Sequence, residues 1–330
     1  MTIEIGRRHF ISALGAAAAW PLAARAQQSA MPVIGFLSSV GRDDRPRLLD
    51  AFRQGLSEAG YVESRNVAIE FRFAENKYER LPALAADLVS RKVSVIAATG
   101  GGNSILAAKS ATTTIPIVFT TGDDPVKAGY VESLNRPGGN VTGISFFAAV
   151  LGSKGLSLLH ELVPNVSVIG MLLNTANPES GSMQTDALGA ARILGLQLIV
   201  RGASTPSEIE SAFATMRQRR AGALLVGGDP YFTSRLQQIV ALAERDAIPA
   251  MYFNREFVAD GGLMSYGTDI ADGYRRAALY VGRMLKGEKP SELPVDQATR
   301  FEFVINLKSA KALGIDVPPG LSARADEVIE

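Results

Sequence analysis

The sequence predicts an α/β protein of two similar doubly wound, parallel-sheet lobes joined by a hinge that the chain crosses more than once. Three observations predict it. Short apolar runs alternate with helix-like stretches along the chain, the pattern of parallel strands covered by helices on both faces. A faint repeat returns after roughly 130 residues, as two copies of one unit would give. The last segments are too few to form a core of their own, so they must return to complete the two lobes.

The strand-like runs of the first lobe are Val33–Leu37, Val67–Phe71, Val93–Ala98, Ile117–Thr120 and Val141–Phe146, each β-branched or aromatic and bounded by polar or Gly-rich turns. Between the first four lie Arg45–Ala59, Tyr78–Arg91 and Ser104–Ala111, with apolar residues at helical spacing. Alternation resumes with strands Val166–Leu173, Leu196–Val200, Ala223–Val226 and Ala250–Phe253, separated by helices Ser180–Leu194, Ser207–Arg219 and Thr233–Arg245. The repeat matches Val33-Ile34-Gly35-Phe36-Leu37 to Val168-Ile169-Gly170-Met171-Leu172, Gly100-Gly101-Gly102 to Gly227-Gly228-Asp229, and Ile115-Pro116 to Ile248-Pro249, in the same order. The tail holds a helix at Tyr274–Leu285, a strand at Phe301–Ile305 and a short helix at Lys308–Leu313. The expected division is a leader over 1–26, lobe 1 over 27–147 completed by about 268–290, and lobe 2 over 148–267 completed by about 298–330.

The leader is read from Arg7-Arg8-His9-Phe10-Ile11, an Ala-rich apolar run and Ala24-Arg25-Ala26, a small-x-small cleavage site. The arginine pair resembles the twin-arginine export motif; an ordinary Sec signal is the alternative reading. Phe10 to Ala24 falls short of the roughly 20 residues of a spanning helix. Cleavage near Ala26 would place a soluble mature chain in the periplasm. It would also remove Trp20, the single tryptophan, and His9, leaving His160 as the one histidine. With no cysteine in the chain, a Cys-His or Ser-His-Asp triad, a His-rich zinc site and a disulfide framework are disfavoured. No cofactor or metal is expected. The chain's net charge is +1; the leader holds Arg7, Arg8 and Arg25 against Glu4, so the rest is near −1. Nucleic-acid binders carry a basic excess, and none is present.

The phrases Met31-Pro32-Val33-Ile34-Gly35-Phe36-Leu37, Ala51-Phe52-Arg53-Gln54-Gly55-Leu56, Leu81-Pro82-Ala83-Leu84-Ala85 and Thr114-Ile115-Pro116-Ile117-Val118-Phe119 are distinctive. So are Asn135-Arg136-Pro137-Gly138-Gly139-Asn140-Val141-Thr142-Gly143 and Gly262-Leu263-Met264-Ser265-Tyr266-Gly267. Together they resemble the ABC transporter substrate-binding proteins of the type I periplasmic fold, over essentially the whole mature chain. The resemblance implies a monomeric extracytoplasmic receptor that closes on a small polar ligand and presents it to a membrane permease and its ATPase subunits. Some members of the broader family take up tryptophan and other aromatic amino acids, so an amino acid or aromatic compound is the favoured ligand.

In parallel α/β sheets the ligand lies beyond the carboxyl ends of the strands. That rule names Ser38 and Ser39 after the first strand, as donors to a carboxylate or as a self-bonded turn. It names Gly101, Asn103 and Ser104, where glycine amides and a helix N-terminus favour an anion, or where Asn103 or Ser104 caps the helix. Thr121 and Asp123 come next, one of the two carboxylates Asp123 and Asp124 meeting an ammonium or hydroxyl group, the other capping a helix ahead of Pro125. In the second lobe the rule names Asn174 through Asn177, Asp229, Tyr231, Tyr252, Asn254 and Arg255. Asp229 is read as a partner for a cation or a helix cap, Arg255 as a partner for an anion or for Glu256, and the tyrosines as stacking surfaces or core. Tyr266 is a candidate on the hinge side. No catalytic residue is assigned. A carboxylate-based enzyme on the same fold and a ligand-sensing module for a membrane receptor are the competing functions; the near-absence of His and the absence of Cys weigh against the enzyme.

Overall fold

Eight elements follow one another in the first part of the chain: β1 (Val33–Ser38), α1 (Pro46–Glu58), β2 (Ala68–Phe73), α2 (Leu81–Ser90), β3 (Val95–Thr99), α3 (Gly102–Ala111), β4 (Ile117–Thr121) and β5 (Val141–Ser145). They belong to a computed structural model that describes residues 31–330 except 45, 147 and 299, and except the side chains of 148–150. The expected leader over 1–26 therefore lies outside the described residues. The order of strands in the first sheet is β11-β5-β4-β3-β1-β2, where β11 is the two-residue strand Asp296–Gln297. Every pairing in it is parallel.

Such a sheet is buried on both faces, which is why its strands read as nearly continuous apolar runs. In β1, Ile34 and Phe36 enter one core with Phe52, Val118 and Ile144, while Val33 and Leu37 enter another with Leu88, Ile96 and Phe119. Phe36 and Phe52 are fully buried and meet edge to face at 5.1 Å. Truncating either to alanine should cost about 3–5 kcal/mol.

The second sheet begins after a helix that the sequence pattern did not disclose, α4 (Ala148–Leu162). There follow β6 (Val168–Leu173), α5 (Ser180–Leu194), β7 (Gln197–Gly202), α6 (Pro206–Gln218) and β8 (Ala223–Val226). Next come α7 (Pro230–Ser234), α8 (Leu236–Arg245), β9 (Ala250–Tyr252), α9 (Arg255–Ala259) and β10 (Met264–Thr268). The expected helix Thr233–Arg245 is thus two helices broken at Arg235, because Asp229 and Pro230 start the first of them earlier. Helix α6 opens with a complete capping box, Thr205 with Glu208. The sheet order is β13-β12-β10-β9-β8-β6-β7, with β12 (Phe301–Asn306) antiparallel to β10. After the short helices α11 (Leu307–Ala312) and α12 (Pro319–Ser322), β13 (Glu327–Ile329) closes the sheet edge beside β12.

Helix α10 (Ile270–Leu285) follows β10 of the second sheet yet packs on α1 of the first lobe. The fit is close: a Cβ on Gly55 would stand 2.1 Å from the Arg275 carbonyl oxygen. The chain therefore passes between lobes at β5 to α4, at β10 to α10 and at β11 to β12. Among the described residues no helix is long and apolar enough to cross a membrane.

Candidate functional site

The carboxyl ends of the two sheets face each other across a cavity of about 70 Å³, several times the roughly 10–15 Å³ that one water needs. From the first lobe it is lined by Gly100, Gly101, Thr121, Asp123, Phe146 and Tyr274. The second lobe supplies Asn177, Gly228, Asp229, Thr233 and Phe253, with Leu151, Thr268 and Ile270 near the crossings. Polar atoms at strand ends and aromatic rings thus share one enclosure.

The Gly100-Gly101 turn is held in a backbone conformation that side chains resist, with φ of 82° and 96°. A Cβ on Gly101 would also reach Pro230 of the opposite lobe at 3.3 Å. Gly101 is the N-cap of α3, two residues before Asn103 and three before Ser104, the caps considered from sequence. The first amides of that helix have no intrahelical acceptors and carry its positive end.

Asp229 is only 4 % exposed. Its Oδ1 accepts from the Tyr231 amide at 2.8 Å, capping α7, and from Asn174 Nδ2 at 2.9 Å. Its Oδ2 accepts from Asn177 Nδ2 at 2.8 Å. Neither asparagine can turn over freely: Asn174 Oδ1 accepts from the Ala176 amide at 3.0 Å and Asn177 Oδ1 from the Glu179 amide at 2.9 Å. Two Asx turns therefore aim two amide donors at one carboxylate.

Asp123 is equally buried, and its Oδ2 accepts from the Tyr130 hydroxyl at 2.7 Å. Its own amide donates to Thr121 Oγ1 at 3.1 Å. Burial pushes the Asp123 carboxyl above the usual range, while the bonds from Tyr130 and Thr121 oppose that shift. Burial and the adjacent carboxylate push the Tyr130 hydroxyl up, so it stays a donor. Across the cleft mouth, Glu179 is raised by its own burial and then by Asp123 and Asp124, with Lys127 acting the other way. Among the described residues no group of three His, Cys, Asp or Glu side chains could hold a metal ion.

Among the described residues, hydrogen bonds join the lobes directly. Asn103 Nδ2 donates to the Ala176 carbonyl at 3.1 Å, Asn174 Nδ2 to the Tyr78 hydroxyl at 3.1 Å, and Asn76 Nδ2 to Ser234 Oγ at 3.4 Å. The lobes stand in a closed relation.

Of the residues named from sequence, Gly101, Thr121, Asp123, Asn177 and Asp229 line the cavity. Ser38 and Ser39 stand behind its wall, and the Ser39 hydroxyl is spent on the Gly100 carbonyl at 2.5 Å. Asn103 and Asn174 bridge the lobes, as above. Ser104 is wholly buried in α3. Tyr231 is buried against Phe232. Tyr252 is turned into a second-lobe core, stacked 4.6 Å from Phe257; its neighbour Phe253, just beyond the end of β9, lines the cavity instead. Asn254 caps α9 and donates to Thr233 Oγ1 at 3.4 Å, so it positions a lining residue. Arg255 is engaged by Glu302 and Glu327, not by Glu256 or the cavity. Tyr266 stacks on Phe301 and faces a side chamber rather than the main cavity.

Sequence reasoning missed Phe146, Leu151, Thr268, Ile270 and Tyr274, all at or beside the crossings. A signal existed for one of them. Gly273 lies in α10, and a Cβ there would stand 2.1 Å from the Phe146 ring, so a helix-interior glycine marks where that ring packs.

The sequence matches the family of ABC transporter substrate binding proteins over residues 33–329. The chain belongs to that family. It is a substrate-binding protein rather than an enzyme by descent, and its fold is the type I periplasmic binding protein fold expected from sequence. A tyrosine-binding protein of Clostridioides difficile (strain R20291) is 31 % identical over 282 residues, 85 % of this chain and 80 % of that protein. The structure of an ABC domain from Streptococcus pneumonia in complex with L-Trp is 27 % identical, with a TM-score of 0.82 over 91 % of this chain and 100 % of that one. The ligand-free, open structure of a substrate-binding protein with adhesive properties from Clostridium difficile is 26 % identical, with a TM-score of 0.64 over 91 % and 99 %. At nearly the same identity, the binding protein superposes better on the L-Trp complex than on the open form, in keeping with the bonds that join its lobes.

Proposed function

We propose that this binding protein is the periplasmic receptor of an ABC importer and that its ligand is an aromatic amino acid. The observation behind this reading is a single interlobe cavity that combines two buried carboxylates, Asp123 and Asp229, with the rings of Phe146, Phe253 and Tyr274. An aromatic amino acid needs both: a partner for its ammonium group and a flat apolar enclosure for its ring. Its carboxylate is assigned to the Gly100-Gly101 turn, where the amides opening α3 favour negative charge. Its ammonium group is assigned to Asp123 or Asp229. The tyrosine-binding relative and the L-Trp-bound relative support the same class of ligand.

Binding would hold the two lobes together, and the closed form would dock on a permease and its ATPase subunits. The protein would act as a monomer after export through the twin-arginine route. Isothermal titration and thermal unfolding of the mature chain with L-Tyr, L-Trp, L-Phe, L-Ala and glucose test the assignment. At least one aromatic amino acid should bind and raise the melting temperature by mass action. Failure of all three, or equal binding of L-Ala, would overturn it.

A further inference from the structure

The cavity does not end at its rear wall. A second void of about 30 Å³ lies in lobe 2, between α4 and α5 above and the sheet below. Met171 and Leu225 rise from the sheet with Met251, Met183 comes from α5, and Gly152 and Gly155 come from α4. Leu151, Gly228 and Phe253 line both spaces, so the two adjoin at those residues.

The two glycines are costly where they stand, because glycine in a helix interior forfeits conformational entropy that alanine would save. Their surroundings explain them differently. A Cβ on Gly155 would come within 3.2 Å of Met251 Cγ, so alanine there would crowd the chamber wall. A Cβ on Gly152 would meet nothing within 4 Å, so the space it would enter is open. Natural interiors leave few voids, and here a void coincides with a helix glycine beside an unfilled volume. Methionines suit a chamber whose occupant comes and goes: they are unbranched, adapt their rotamers and make favourable sulfur contacts with ring edges.

We infer that this methionine-walled chamber receives the outer part of the ligand's ring and selects for ring size, bicyclic side chains filling it most. The inference rests on the aromatic amino-acid reading of the main cavity. Leu151 and Phe253 then act as the gate between the two spaces, and Gly152 sets the chamber's depth.

The test uses the full mature chain with ¹³C-methyl methionine and NMR. On titration with L-Trp, the methyl signals of Met171, Met183 and Met251 should be displaced by ring current, upfield over the ring face and downfield at its edge, while those of Met216 and Met284, in other cores, should not move. Gly152→Leu fills the chamber and should weaken L-Trp at least about tenfold, and L-Phe much less; Gly152→Ala gives a smaller change of the same sign should the leucine variant fail to fold. Binding of L-Trp with the three methyl signals unmoved would overturn the chamber's role and leave the aromatic reading intact. If no aromatic amino acid binds the wild-type chain, that reading fails, and indole alone becomes the probe. Ring-current shifts of the same three methyls with indole would sustain the chamber, and their absence would overturn it.

Discussion

Asp229 is the residue at which stability and binding should fall together. An isolated helix cap replaced by alanine costs about 1 kcal/mol. Here the same carboxylate satisfies three donors, the Tyr231 amide and the side-chain amides of Asn174 and Asn177. A buried donor left without an acceptor costs roughly 1–3 kcal/mol, so Asp229→Ala should lose at least about 3 kcal/mol. Asp229→Asn is the sharper perturbation. It keeps one oxygen, but its new NH₂ must face an asparagine NH₂ locked by an Asx turn, at Ala176 or at Glu179. One charged hydrogen bond is lost, about 2 kcal/mol, or roughly 4–8 °C in melting temperature. Thermal unfolding of the ligand-free protein measures it. An Asp229→Asn variant that melts within a degree of wild type would refute the claim that the two asparagines are fixed as donors. Titration of an aromatic amino acid into the alanine variant should show at least about a hundredfold loss if Asp229 holds the ammonium group.

Three other outcomes are expected. Gly101→Ala forces a side chain into φ 96° against Pro230, at about 1–3 kcal/mol; small-angle scattering should show a larger radius of gyration with saturating ligand than in wild type. Asp123 and Glu179 are raised by burial, and Glu179 further by Asp123 and Asp124. Groups with raised carboxyl values destabilise the fold above the ordinary carboxylate range, and the cost is relieved as pH falls through the raised values. Asp123→Asn, still able to accept from Tyr130, should therefore raise the ligand-free melting temperature at pH 7 and flatten its rise toward pH 5; a lower value at pH 7 would contradict this. Arg7-Arg8 replaced by two lysines should leave precursor in the cytoplasm, and normal export would point to Sec instead.

Much of the fold was legible because parallel strands buried on both faces leave plain β-branched runs, and because the unit occurs twice. What stayed hidden has local causes. Helix α4 was missed because Gly152 and Gly155 interrupt its pattern, the same glycines that border the side chamber. Strand β11 is two residues long and β13 three, too short to show alternation. At the site, the strand-end rule found Gly101, Thr121, Asp123, Asn177 and Asp229, since turns and caps have residue signatures. It named Tyr252 as a stacking surface, although that ring is core, and Arg255 by its charge, without knowing that β12 and β13 bring Glu302 and Glu327 beside it.

The residues missed at the crossings bear on how binding and closure are linked. Phe146 follows β5 at the first crossing, and Thr268 and Ile270 flank the second. Each lines the cavity while sitting on chain that joins the lobes. Phe146 packs so tightly on Gly273 that its ring moves with α10, and α10 is fixed to α1 of the first lobe. A ring bound beside Phe146 and Phe253 thus touches first-lobe and second-lobe surfaces together. Contact area with such a ligand is complete only at one angle between the lobes, because each lobe supplies part of the enclosure. Differential contact of that kind is what lets a ligand shift a two-state equilibrium. On the proposed reading, closure would need no separate relay, because the crossings and the cavity lining share residues.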